Sequence, residues 1–141
     1  MRTPCALLLL SLTACMDSTL NPLGGVAGPR LDFTASAPKY YGGGRAAYAH
    51  VEQGRIVVQG RGVTPTRCHR LTGALSEAGS ELKLRLDAEP AQGPDVACGD
   101  ALGVAEYRAV IWNLGPGEYR LHVFDARHPD VGILAQSIRV P

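Results

Sequence analysis

The sequence predicts an all-β fold, an antiparallel sandwich of about seven strands, on three observations. Seventeen glycines and ten prolines are scattered between short apolar runs, the punctuation of many turns and short strands. Residues 81–88 alternate strictly: Leu82, Leu84, Leu86 and Ala88 fall on one face, with Lys83, Arg85 and Asp87 on the other. No window carries a helical period of apolar residues. The chain has 141 residues, 45% of them hydrophobic, which suits one domain with a two-layer core and is too apolar for a disordered chain. Lys and Arg number 14 against 13 Asp and Glu. That is not the basic excess of a nucleic-acid-binding face, so no nucleic acid is expected as a partner.

Taken in chain order, Arg2 supplies a positive start and Ala6–Leu12 (ALLLLSL) an apolar run. That run is far short of the roughly 20 residues a membrane-spanning helix needs, so residues 1–14 read as a secretory signal peptide. Leu12-Thr13-Ala14-Cys15 resembles the lipobox of bacterial lipoproteins. The resemblance implies cleavage before Cys15, diacylglycerol on its sulfur and acyl chains such as palmitate. The product is a lipoprotein anchored to a membrane of the cell envelope. Two or more acyl chains hold firmly where one is marginal. Met16, not Asp, follows the cysteine. By the sorting rule of enterobacterial lipoproteins this favours the outer membrane, where there is one. Arg2 is the only charge in the first 14 residues, so the mature chain carries 14 − 1 = 13 basic against 13 acidic residues.

Residues 15–45 are expected to form the lipidated N-terminus and a flexible linker. Met16 to about Arg30 is small and polar and is broken by Pro22, Gly24, Gly25, Gly28 and Pro29. Gly42-Gly43-Gly44 is either a loop tip or more tether. The domain is therefore placed at 46–141, with a start near residue 31 as the alternative.

Cys68 and Cys98 remain once the signal is gone and Cys15 is modified. An even pair in an exported chain reads as a disulfide, worth roughly 3 to 4 kcal/mol for a loop of about 31 residues. A metal pair is the competitor, since His69 adjoins Cys68, but the spacings that usually hold zinc are missing.

The expected strands run through Arg55–Val63, Cys68–Leu75, Glu81–Ala88, Glu106–Asn113, Glu118–Phe124 and Ile133–Val140. Turns are expected at 77–80 and a loop at 89–95. Residues 106–113 (EYRAVIWN) are apolar on both faces, as a central strand is. Short strands at regular spacing favour a sandwich.

Leu114-Gly115-Pro116-Gly117-Glu118-Tyr119-Arg120-Leu121-His122-Val123 resembles the corner of fibronectin type III and other immunoglobulin-like domains. The resemblance implies an immunoglobulin-like sandwich in which the Tyr119 hydroxyl bonds back to the preceding turn. It is specific for architecture, not for activity. Leu121 stands where antibody-type domains carry their second cysteine, so Cys68 and Cys98 do not match that family's inter-sheet bridge. They are expected to pin a strand to the loop after Glu89.

Chemistry-bearing residues are sparse. His122 and His128, with Asp125 and Asp130, are weak metal-ligand candidates; the plainer reading is a polar hairpin tip. No serine lies in a nucleophile elbow, no carboxylates are spaced as a glycosidase pair, and the glycine run lacks the lysine of a phosphate loop. No enzyme activity and no cofactor are expected. Arg55, Arg61, Arg67 and Arg70, with Tyr40, Tyr41 and Tyr48, are of the types that binding surfaces favour, though they equally suit a solvated face. The expectation is a non-enzymatic, lipid-anchored envelope module for binding or structure, with a protein or glycan partner. A periplasmic metal-handling or inhibitor-type lipoprotein is the alternative.

Overall fold

The computed structural model describes residues 27–40, 43–91 and 97–141. Cys15 lies outside these residues, as do Tyr41 and Gly42. Eight strands form among the described residues: β1 (Arg30–Ala35), β2 (Ala46–Glu52), β3 (Arg55–Thr64), β4 (His69–Ala78), β5 (Glu81–Pro90), β6 (Gly103–Trp112), β7 (Gly117–Asp125) and β8 (His128–Val140). They make two four-stranded sheets, ordered β1-β6-β3-β2 and β4-β5-β7-β8. The fold is an all-β sandwich.

The core follows from period-two alternation. Leu82, Leu84 and Leu86 of β5 are buried, while Lys83 and Arg85 between them are exposed. Facing them from the other sheet are Ile56 and Val58 of β3 and Ala105, Tyr107, Ala109 and Ile111 of β6. Leu121 and Val123 of β7 and Ile138 and Val140 of β8 complete the core. Strand β6 is indeed internal, paired with β1 on one side and β3 on the other.

Besides β2, which is not among the expected strands, three features depart from the sequence reading. The first is β1, which lies inside the stretch assigned to the linker. Leu31 and Phe33 alternate inward, and Phe33 stacks on Tyr107 with ring centroids 5.6 Å apart. Phe33 also fills the notch left by Gly73 of β4, where any Cβ would strike its ring. The prolines and glycines on either side of β1 make so short a strand look like tether. A bridge between Lys39 and Val104 holds the following loop to β6 as well. The sandwich thus includes residues 30–35, and the strands number eight among the described residues. The second is the β4–β5 turn, which is confined to Gly79 and Ser80, so β4 reaches Ala78. Gly79 takes a φ of 61°, as the first position of a type II′ hairpin requires. The third is that one pairing is not antiparallel. Strands β5 and β7 run parallel, from Glu81 opposite Arg120 to Leu86 opposite Asp125. The pairing is extended by Arg120 N–H to the Ser80 carbonyl and Ala126 N–H to the Leu86 carbonyl, each 2.8 Å. Alternation fixes which face of β5 is buried and does not specify its neighbour.

The strand directions give the sandwich two unlike ends. At one end, here called proximal, β1 begins and β8 finishes. The connections at this proximal end are Gln53–Gly54, Gly79–Ser80 and residues 113–116. Gln53 and Gly54 both take positive φ (51° and 74°), the mark of a type I′ hairpin. The distal end carries the described residues of the β1–β2 connection (36–40 and 43–45), of the β5–β6 connection (91 and 97–102), and residues 65–68 and 126–127. At about 3.3 Å per residue, the ten residues of β3 separate the ends by about 30 Å.

Candidate functional site

Long loops on a rigid scaffold are where binding residues concentrate, and the distal end is built to hold its loops still. Cys68, just before β4, is bonded to Cys98 in the loop after β5, with their Cα atoms 5.6 Å apart. The backbone N–H of Ala91 donates to the Cys68 carbonyl at 2.9 Å. The Tyr40 hydroxyl donates to the Cys98 carbonyl at 3.3 Å, and the Arg67 guanidinium lies 4.6 Å over the Tyr40 ring. Thr66 accepts from Cys68 N–H at 3.2 Å through its hydroxyl oxygen, which also lies 2.9 Å from His69 Nδ1. Three loops are knitted together around one bridge.

A second clamp holds the same end from the other side. Asp125, at the end of β7, is 3% exposed. Arg45 Nε donates to its Oδ2 at 2.8 Å and Arg127 Nη2 at 3.1 Å, while the Arg127 backbone N–H donates to Oδ1 at 2.9 Å. Arg127 also donates to the Val63 carbonyl of β3. Burial raises the Asp125 pKa. The hydrogen bonds from the Arg127 backbone, Arg45 and the Arg127 side chain outweigh it and hold the carboxyl below its ordinary range. The clamp joins the loop before β2, the β7–β8 turn and β3, and so spans both sheets.

Between these fixtures the outer face of the β1-β6-β3-β2 sheet carries an open groove of about 770 Å³. Two neighbouring cross-strand rows form it. One is Thr34, Arg108, Gln59 and Tyr48, successively opposite in register. The other is Ser36, Glu106, Arg61 and Ala46; Ser36 Oγ accepts from Glu106 N–H at 3.0 Å. Tyr48 is 57% exposed, yet its ring is held: the hydroxyl donates to Gln59 Oε1, and the ring stacks on His50 at 6.0 Å. Gly60 lets β2 close on β3, because any Cβ there would strike the Ala46 carbonyl. Arg108 is paired with Glu52 at 3.3 Å. Toward the proximal end, Arg55 covers the Trp112 ring at 4.2 Å.

Four large apolar side chains are exposed among the described residues: Tyr40, Tyr48, Leu102 and Val131. Tyr40, Leu102 and Val131 lie toward the distal end, and Tyr48 sits mid-sheet, opposite Gln59 of β3. Comparison with protein-family models, curated proteins and solved structures finds no match to this chain. Its site is therefore read from its own geometry.

The other residues singled out from sequence fall as follows. Tyr119, at the β7 start, donates from its hydroxyl to the Gly115 carbonyl at 2.8 Å, closing the Pro-Gly corner. His122 lies opposite Ala135 on the outer face of the second sheet, its Nε2 3.8 Å from Glu81 Oε1. His128 pairs with Asp125 three residues further along β7, about 10 Å away at strand spacing. The two imidazoles are not brought to one point, and no three His, Cys, Asp or Glu groups gather as a metal site requires among the described residues. Arg70 pairs with Glu89 at 3.1 Å on the surface. Sequence reasoning missed Arg45, Arg127, Gln59 and Glu106. Their partners lie on other strands, and no local spacing signals them.

Proposed function

We propose that this chain is an exported lipoprotein, acylated at Cys15, that displays a non-enzymatic immunoglobulin-like sandwich from a membrane of the cell envelope, the outer membrane where there is one. It serves there as a binding module. The lipobox-like Leu12–Cys15 run argues for the anchor, and the Cys68–Cys98 bridge suits an oxidising compartment. The Tyr119–Gly115 bond at the Pro-Gly corner argues for kinship with immunoglobulin-like domains. The parallel β5–β7 pair and the placement of the disulfide are this chain's own departures from that pattern.

One observation carries the binding reading: among the described residues, exposed Tyr40, Leu102 and Val131 share with the Cys68–Cys98 bridge the end opposite the start of β1. A lipid at residue 15 would tether the chain at the end where β1 begins, leaving Tyr40 and Leu102 at the opposite end of the sandwich. Exposed aromatic and apolar residues set among polar ones are what partner surfaces present. The test is site-specific photo-crosslinking in the native envelope, with the crosslinker at Leu102 (distal) or Gln53 (proximal). Adducts with an envelope component from Leu102 and not from Gln53 support the reading. Adducts from Gln53 alone, or none beyond lipid and the protein itself, reject it.

A further inference from the structure

Resting on the binding-module reading, the geometry points to the groove on the distal half of the β1-β6-β3-β2 sheet as a site for a neutral carbohydrate chain. Four properties of the groove select that chemistry. First, Tyr48 offers an exposed ring fixed by its bond to Gln59 and its stack on His50. A ring already held loses little freedom on binding, and it suits the C–H face of a pyranose. Second, the hydrogen-bonding groups around it are of the planar, two-pronged kind that matches neighbouring sugar hydroxyls. They are the Gln59 amide, the Arg61 guanidinium and the Glu106 carboxylate, joined at the far side by the hydroxyls of Thr34 and Ser36. Donors and acceptors are both present, as a polyol requires.

Third, the charges cancel. Arg61 lies directly opposite Glu106, and Arg108 is paired with Glu52. A polyanion finds no excess of positive charge there. Fourth, the floor is small-sided, with Gly60 and Ala46 in place of large apolar side chains, so it offers no deep apolar hole. That disfavours a peptide anchored by hydrophobic residues. The volume of about 770 Å³ falls within the usual range of ligand sites, roughly 300 to 1,000 Å³. The groove lies open across the sheet, which suits a segment of a polymer.

The full chain, purified in detergent, is run in native gels cast with a neutral glucan, a mannan, a galactan or glycol chitin, and in gels containing polygalacturonate. We expect retardation by at least one neutral polymer and not by polygalacturonate. Tyr48→Ala should weaken that retardation at least tenfold and Glu106→Ala several-fold, whereas Tyr48→Phe, which keeps the ring, should stay within about threefold of the parent. Tyr48 is exposed, so its alanine variant should keep the parent's urea midpoint, and that check separates lost binding from lost folding. Migration unchanged in every neutral polymer overturns the proposal, as does retardation that survives Tyr48→Ala or is equalled by polygalacturonate. If the gels fail while Leu102 still crosslinks to an envelope protein, the binding module stands and the carbohydrate site falls.

Discussion

The Arg45 guanidinium and the Asp125 carboxylate are eighty residues apart in the chain and meet at 2.8 Å at the distal end of the sandwich. Asp125 is almost wholly enclosed, and its charge is tolerable there only because Arg45 and Arg127 face it. Removing the carboxylate leaves two partly buried guanidinium groups without their counter-ion. Asp125→Ala should lower unfolding free energy by about 3 kcal/mol, read as a shift of the urea midpoint at neutral pH.

The same carboxylate gives acid sensitivity a definite sign. Its folded pKa lies below its unfolded value. Its contribution is therefore complete above the ordinary carboxylate range and is lost as pH falls toward the folded pKa. Urea midpoints measured from pH 7 downward should drop more steeply for the parent than for Asp125→Asn. Parallel curves would show that Asp125 does not set the acid limb.

Tyr107 gives the opposite expectation. Its hydroxyl is buried with no hydrogen-bond partner among the described residues, and burial pushes the phenol well above its ordinary range. The ring packs on Phe33, and phenylalanine keeps that contact. Tyr107→Phe should raise stability by about 1 kcal/mol, because a buried polar group without a partner carries its full desolvation cost. Thermal denaturation of the two proteins decides it.

The disulfide closes a loop with a sequence separation of 30. Replacing both Cys68 and Cys98 with alanine should cost roughly 3 to 4 kcal/mol. Without the bridge, amide exchange at Ala91 and in the 97–102 segment should quicken more than in β5 or β6. Uniform quickening would mean that the bridge steadies the whole sandwich and not its distal loops.

The sequence made some of this legible and hid the rest for physical reasons. Alternation displays β5 openly, and two-faced apolarity marks β6 as internal. The paired cysteines and the Pro-Gly-Tyr corner are local patterns with local causes. Strand β1 escaped because a six-residue strand between Pro29 and Pro38 has the composition of a linker, and its evidence is the fit of Phe33 against Gly73 and Tyr107. The parallel β5–β7 pair is invisible to periodicity, which reports faces and not neighbours. The Asp125 clamp joins Arg45 to the β7–β8 turn, and the groove joins one residue from each of four strands in a row. Such sites exist only once the register is set.

The proposed display of the distal end requires that lipid hold the chain at its other end. Intact-mass and peptide mass spectrometry of the protein from its own envelope tests this most directly. The mature chain should begin at Cys15, with a mass increment of diacylglycerol and further acyl groups on that residue. A chain that still carries Met1, or a Cys15 without lipid, would contradict the account.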